Sequence, residues 1–596
     1  MRQRQLTAVL AVLAVPVSGQ SLRELAEPRR VLMGAAHNGS FTDATYLNTM
    51  AREYDQLQPE NAMKFGPLHP SANVFNWAPA DAIVNYAAQN GMRVRGHVFV
   101  WHTQVPKWVA NGGWNSAQLS DILHQHILAV GGRYRGKVYG WDVVNEAFQD
   151  NGTLRDTIWY DQPGIGLQGT GYIEQAFRWA READPNALLF YNDYSAEWVN
   201  AKSDAIYQMA ADFKSRGVPI GGIGLQAHFT TGNAGNLASI DANIKRITDL
   251  GLEVQITELD VRLPVDASGK ASAADLAAQA DLYGKLAAIC FRYPLCTALQ
   301  TWGFTDKYSW IPGSLNGFDA ALPLDGNYQP KPAYTALQGA LAAAPTLTRP
   351  TLPAAPAQPA ITAAGLVNAA SYAGNGASPG EIMVLFGATQ GPASLTTAQA
   401  DTNGKLPTIL AETRLLFDGV AAPLLYAVAG QAGVIVPFGV AARQQTAMQY
   451  EYQGIRSNVV SVPVLEAKPG LFTLDTSGTG EAAALDANYA PVTRAAPIQK
   501  GGIVLLFLTG GGQTSPAGVD GLITSQAPLP MPLAKVTATI GGLDAPVLYA
   551  GGAVGLVQGG IQVNVKVPDA VSSGEQPVVI TVGGAASAAG VTIAVK

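Results

Sequence analysis

Over roughly 310 residues the chain alternates short β-rich apolar runs with longer stretches of helical spacing, a pattern that restricts the fold more than any other feature. The β-rich runs are residues 30–35, 56–63, 93–101, 138–145, 187–191, 221–227, 253–259 and 297–304. Helical spacing recurs between them, as at 80–89, 116–129, 172–182, 202–216 and 273–289. Eight strands alternating with helices predict an α/β fold of the (β/α)8 TIM-barrel type. The competing doubly wound sheet would carry a Gly-rich phosphate turn after an early strand, and none is present.

The pattern stops near residue 345. All 10 Trp, all 7 His and both Cys of the 596 residues lie before it. Residues 344–360 are rich in Pro, Ala and Thr, which predicts a semi-rigid linker. Beyond them, short Val/Ile/Leu runs broken by Gly and Pro predict an all-β region. One stretch recurs: residues 417–427 parallel residues 540–550, and Ile382–Phe386 parallels Ile503–Phe507. Two immunoglobulin-like sandwich units are therefore expected, at 361–468 and 469–596. They loosely resemble modules at the C-termini of secreted bacterial proteins. Lacking Trp, His and Cys, they are poorly equipped for catalysis. A spacer or surface-association role is the plainer expectation. Tyr372, Tyr426, Tyr450, Tyr452, Tyr489 and Tyr549 are the residues that could give polysaccharide binding instead.

Arg2 and Arg4 followed by an apolar run to Val17 and small residues before Gln20 read as an export signal over residues 1–20. The run is too short to span a bilayer, and no other segment qualifies. Secretion, free or with retention at the cell surface, is the expectation, with no membrane insertion. A formal net charge of -6 offers no basic footprint for nucleic acid. Cys290 and Cys296 could close a small local loop or remain as two buried thiols. No Cys/His spacing suits a metal, and neither metal nor cofactor is expected.

In a barrel the catalytic groups sit at the C-terminal ends of strands. Here those ends carry Glu60, Asn61 and Lys64; His97, Trp101 and Gln104; Asn145 and Glu146; Gln226 and His228; Glu258 and Asp260; and Trp302, with Trp310 close behind. Taken singly, each is more often a packing, ion-paired or solvated residue; their conjunction at one mouth is what points to function. Two carboxylates on opposite sides of a barrel mouth suit glycoside hydrolysis, one protonating the leaving oxygen and the other attacking or activating water. Tryptophans supply apolar faces for sugar rings. No Gly-x-Ser-x-Gly elbow or zinc helix competes.

The segments Arg95–His102 with Gln104, Pro106 and Trp108, then Trp141–Ala147, Gly251–Val261, Trp302–Trp310 and Asn327–Tyr334 resemble the motifs of the family-ten glycoside hydrolases. The resemblance spans residues 28–343, the expected catalytic domain. It implies a retaining endo-1,4-β-xylanase acting on xylan, or another β-1,4-linked plant polysaccharide, without cofactor. Glu146 would be the acid/base and Glu258 the nucleophile, oriented by His228 with Asp260. Asn145 and Gln226 would hydrogen-bond the sugar just before the scissile bond. Asn61, Lys64, His97, Trp101 and Gln104 would line the non-reducing-end sites, with Glu60 at their edge and Trp302 and Trp310 as a lid. Cys290 and Cys296 match a local disulfide. Phe65, Val98-Phe99 and Ala227 depart from the usual residues. Two readings compete: a β-1,4-glucanase on the same scaffold, and a polysaccharide-binding or adhesion protein with an inactive barrel.

Overall fold

The structure is a computed structural model that describes residues 19–232 and 236–596; most of the stretch expected to be an export signal, residues 1–20, lies outside the described residues. It divides into two compact units, one reaching to Ala357 and the other Gln358–Lys596.

In the first unit eight parallel strands close on themselves. They are β1 (Leu32–His37), β2 (Gln56–Pro59), β3 (Arg93–Val100), β4 (Val138–Asn145), β5 (Leu188–Asp193), β6 (Gly222–Leu225), β7 (Glu253–Pro264) and β8 (Cys296–Thr301). Each pairs with the next, and β8 pairs with β1 through Gly34–Gln300. A helix follows every strand: α1 (Ala44–Glu53), α2 (Ala78–Gln89), α3 (Ser116–Arg133), α4 (Gly171–Ala183), α5 (Ala201–Ser215), α6 (Leu237–Asp249), α7 (Ala273–Phe291) and α8 (Pro332–Ala343). This is the expected TIM barrel. Several helix starts are fixed by local chemistry. Asn115 accepts from the Gln118 amide while the Gln118 side chain accepts from the Asn115 amide, and Asn200 and Ser203 do the same at α5.

The barrel interior is layered. At the N-terminal mouth Leu32, Tyr139 and Ala298 pack with Leu188 and Leu352. Above them lies a polar layer in which Gln56 donates to Gln300 at 2.8 Å, Gln300 to Gln58 at 2.9 Å, and Arg95 to Gln255 at 2.5 Å. A Cβ at position 34 would stand 2.8 Å from the Gln56 and Gln300 side chains, so only glycine leaves room for this layer. Buried amides are tolerated because they satisfy one another.

Part of the stretch read as a linker is held against the barrel. Buried Arg349 donates to the carbonyls of Tyr293 at 2.7 Å and Cys296 at 2.8 Å, Leu352 joins the cluster at the N-terminal mouth, and Arg93 donates to the Pro353 carbonyl at 2.6 Å. Cys290 and Cys296 form a disulfide that ties the end of α7 to the start of β8.

The second unit is built of sheets whose strand pairs are antiparallel apart from Gly480–Glu481 with Val591–Val595, as expected for an all-β region. One sheet joins β9 (Leu366–Asn368), β10 (Ile382–Phe386), β11 (Thr396–Thr397), β12 (Leu424–Val428) and β13 (Gln431–Ile435) in the order β9-β10-β13-β12-β11. It packs on a sheet containing Thr413–Phe417, Gln445–Tyr452 and Ile455–Pro463, around Met383, Leu385, Phe417, Val434 and Met448. Residues 469–596 form a second such pair of sheets around Val504, Leu506, Val563, Ile580 and Ile593. The repeated stretches fold alike. Each places a bulge at the equivalent point, between Leu424 and Tyr426 in one and between Val547 and Tyr549 in the other.

Candidate active site

The strand ends bring the two glutamates to one mouth. Glu146 follows β4 directly and takes a left-handed backbone, φ 57°. Such a conformation is costly for a side chain with a Cβ and needs outside support. Three hydrogen bonds provide it. The Glu146 amide donates to the Asn192 carbonyl at 2.9 Å, Arg155 Nε donates to the Glu146 carbonyl at 3.2 Å, and the Ala147 amide donates to the Tyr191 hydroxyl at 2.9 Å. The side chain then points at neutral donors. Trp101 Nε1 reaches Oε2 at 2.9 Å, and Asn145 Nδ2 and Gln226 Nε2 reach Oε1 at 3.0 and 2.9 Å. His102 Nδ1 stands 4.0 Å away; burial lowers its pKa, which favours the uncharged ring.

Glu258 sits within β7 and is buried. Asn192 Nδ2 donates to its Oε1 at 2.8 Å, and His228 Nε2 lies 3.3 Å from Oε2. On the far side of the ring, His228 Nδ1 lies 2.9 Å from Asp260 Oδ2, which also accepts from Trp310 Nε1 at 2.8 Å. Burial pulls the Glu258 carboxyl up. The His228 hydrogen bond, the charges of His97 and His228, and the Asn192 amide outweigh it and hold the group below its ordinary value. Burial likewise works against the charged imidazole of His228, but Asp260 and Glu258 hold its pKa well above the usual histidine range.

The two carboxylates are joined through amides. Asn192 Nδ2 also donates to Asn145 Oδ1 at 2.9 Å, and Thr257 Oγ1 fixes Asn192 Oδ1 at 2.7 Å. Asn192 thus spans the acid side and the nucleophile side. A Cβ at position 224 would come within 2.2 Å of Asn192 Oδ1, so Gly224 is what lets that amide lie across the barrel. Gln226 and His228 are aimed from either side of Ala227, whose backbone is left-handed at φ 64° and whose amide donates to buried Glu197 at 2.8 Å.

Most of the remaining predicted residues gather beside this pair, and Gln104 is held only through its backbone. Lys64 Nζ donates to Asn61 Oδ1 at 3.2 Å and lies over the rings of Trp101 and Trp302, at 4.9 and 5.7 Å. Burial lowers its pKa against the pull of Glu258, Glu60 and Glu146. Asn61 Nδ2 donates to Glu60 at 3.3 Å, and burial raises the Glu60 carboxyl. His97 Nδ1 meets Asp142 at 2.9 Å while its ring stands edge-on to Trp302 at 5.5 Å. Trp310 stands edge-on to His228 at 5.5 Å, so it backs the nucleophile's support as well as bordering the mouth. Gln104 is exposed, φ 50°, and its carbonyl accepts from the Gly66 amide at 2.9 Å. Phe65 turns inward and stacks on His126 at 3.6 Å, and Phe99 stacks on Trp141 at 4.1 Å, so these two departures concern packing.

The model of glycosyl hydrolase family 10 matches residues 21–340. The chain belongs to that family. Endo-1,4-beta-xylanase B of Thermotoga neapolitana is 43% identical over 321 residues, covering 53% of this chain and 90% of the relative. Endo-1,4-beta-xylanase A of Fusarium oxysporum f. sp. lycopersici is 42% identical over 293 residues, 48% of this chain and 86% of the relative. Among solved structures, native xylanase 10B from Thermotoga maritima superposes with a TM-score of 0.51 at 44% identity, covering 54% of this chain and 98% of that one. Xylanase 10B from Thermotoga petrophila RKU-1, solved with xylobiose, gives 0.51 at 43% identity, covering 54% and 97%. A family 10 barrel is thus a glycoside hydrolase unit, and the second unit lies outside the matched residues.

Proposed function

We propose that the protein is an endo-1,4-β-xylanase that hydrolyses internal xylosidic bonds with retention of configuration. The observation that carries the reading is the unequal setting of the two glutamates. A carboxylate held below its ordinary pKa is a weak base for activating water but is ionised and free to attack carbon. Glu258 therefore serves as the nucleophile at the anomeric carbon. Glu146 gives its proton to the leaving glycosidic oxygen, which departs as the new chain end. Glu146, now a carboxylate, then takes a proton from water as that water attacks the glycosyl-enzyme ester. The anomeric carbon returns to its original configuration and Glu258 leaves as carboxylate. His228, fixed by Asp260, steadies the charge that reappears on Glu258.

Xylan is the proposed substrate because the relatives that match the barrel across most of their length carry that activity in their names. The basic start and apolar run of residues 1–20 support export. The test is reducing-end release from xylan and from soluble cellulose by wild type and Glu258→Ala. Rapid depolymerisation of xylan that vanishes in the variant is expected. Preference for cellulose would make the protein a glucanase, and binding of either polymer without turnover would leave a binding protein.

A further inference from the structure

The outer face of the β9-β10-β13-β12-β11 sheet carries a group of rings that the second unit's core does not use. Along β10, Met383 and Leu385 enter the core, so Phe386 faces outward. It is 38% exposed and pairs across the sheet with Gln431. On β12, two strands from β10, Tyr426 lies flat against the sheet. A Cβ at position 433 would meet its ring at 2.5 Å, so glycine there is what allows the ring to lie down. Gln431 Nε2 donates to the Tyr426 hydroxyl at 2.5 Å and fixes the ring's edge. Tyr372, 41% exposed, stands with its ring centroid 6.3 Å from that of Phe386, and its hydroxyl is anchored on the Thr476 carbonyl at 2.8 Å.

The second half arranges its tyrosine differently. Tyr549 occupies the place of Tyr426, but its partner across the sheet is Asn564 where the first half has Gly433. Its ring lies along its own strand against Gly551, with its hydroxyl on the Gly552 carbonyl, so the ring over a cross-strand glycine is found in the first half.

We propose that Tyr372, Phe386 and Tyr426 form a stacking platform for a β-1,4-linked polysaccharide chain, the xylan that the barrel cleaves. This rests on the reading of the barrel as a xylanase. The five strands of the sheet that carries Phe386 and Tyr426 contain no Asp, Glu, Lys or Arg, and Tyr372 stands on the turn after β9. A face without charge suits a neutral polymer and disfavours an ionic partner. Anchored rings present rigid apolar faces to sugar rings, and the amide and hydroxyl at their edges offer polar partners to sugar hydroxyls. Exposed aromatic groups held this way are a surface for binding rather than for packing.

The test uses the full-length chain in two assays. Retention on insoluble xylan is measured with the hydrolytically silent Glu258→Gln background, and turnover of soluble xylo-oligosaccharides with the active background. Phe386→Ala and Tyr426→Ala are expected to lower the fraction retained severalfold and leave oligosaccharide turnover unchanged. Phe386→Trp, which keeps a ring, retains binding. Phe386→Leu, which keeps apolar bulk without a ring, loses it. Retention that is equal in wild type, Ala and Leu variants would overturn the platform, as would binding that Leu preserves. Loss of oligosaccharide turnover in the wild type would sink the xylanase reading alone, because ring-dependent retention would still stand.

Discussion

Glu146 and Glu258 face one another across the same mouth, yet they are held in opposite ways. The donors to Glu146 are the neutral Trp101, Asn145 and Gln226. Glu258 takes one of its two donors from His228, whose ring is backed by Asp260. The backbone differs too: Glu258 lies within a strand, whereas Glu146 sits in a left-handed turn held by Arg155, Tyr191 and Asn192. Chemistry is divided between two copies of one residue type by what each one touches. A cationic neighbour keeps Glu258 ionised for attack, while the groups that hold the Glu146 carboxyl in place carry no charge.

The largest expected effect breaks the pair apart by leaving group. Glu258→Ala should lose roughly 10⁴-fold or more of kcat on xylan and on an aryl xyloside with an acidic phenol alike, since both need the nucleophile. Glu146→Ala should lose about 10²–10⁴-fold on xylan, the usual range for acid–base assistance. On the aryl xyloside its first turnover should stay near wild type, because an acidic phenol leaves without a proton. A burst of phenol followed by slow turnover is the signature. Equal losses on both substrates in Glu146→Ala would remove the division of labour.

His228→Gln tests the charge itself. In the wild type, burial raises the Glu258 carboxyl and the histidine holds it down. Without the histidine two of the influences that hold the group down are gone, so the folded pKa rises. The acid limb of kcat/KM, set by ionisation of Glu258, should then move to higher pH, with a loss at neutral pH of roughly 10–100-fold, matching about 1.5–3 kcal/mol for a charged hydrogen bond. Linkage gives the matching stability effect. A carboxyl lowered on folding adds stability above its unfolded pKa that is lost as pH falls through the folded value, so the variant should lose less stability on acidification than the wild type. An acid limb that stays in place would show that His228 does not tune Glu258.

Asn192 bridges both sides, and its loss should cost less. Asn192→Ala removes one of two donors to Glu258 and leaves Asn145 Oδ1 held by Gln226 alone, so a roughly tenfold fall in kcat, equal on xylan and on the aryl xyloside, is expected with KM little changed. A loss confined to xylan would place its main role with Glu146 instead.

Asn192 also shows where the sequence stops being legible. Most of the site could be read because its residues stand at the ends of runs whose β pattern is clear, as with Glu146 after residues 138–145 and Glu258 in residues 253–259. The fifth β-rich run ends at Tyr191 in the sequence pattern, but the strand continues to Asp193. Those two polar residues look like a loop in one dimension and are the working end of β5 in three. The barrel's polar layer was hidden for a related reason. Gln56, Arg95, Gln255 and Gln300 read as breaks in apolar runs, and only closure of the barrel brings them within hydrogen-bonding distance of one another. Arg349 and Leu352 fall in a stretch whose Pro and Ala content predicts a linker, and a single anchoring arginine leaves no periodic trace.

The smallest effect should come from behind Glu146, and it sharpens the comparison most. The Tyr191 hydroxyl accepts from the Ala147 amide at 2.9 Å and donates to Asp193 at 2.5 Å, and Asp193 pairs with buried Lys202 at 2.8 Å. Burial pushes the Asp193 carboxyl up to about 7 despite Lys202, so the tyrosine proton is one of the few partners that keep it charged. Tyr191→Phe leaves the ring in place and removes only the oxygen. The Ala147 amide loses its acceptor, and the left-handed turn at Glu146 loses one of its three supports. A single hydrogen bond of about 1 kcal/mol corresponds to a roughly fivefold fall in kcat on xylan. The aryl xyloside should be spared in its first turnover, because the turn aims the acid and leaves the nucleophile where it was. Loss on both substrates would mean that the hydroxyl holds the barrel mouth as a whole, and the two sides would then no longer be independent.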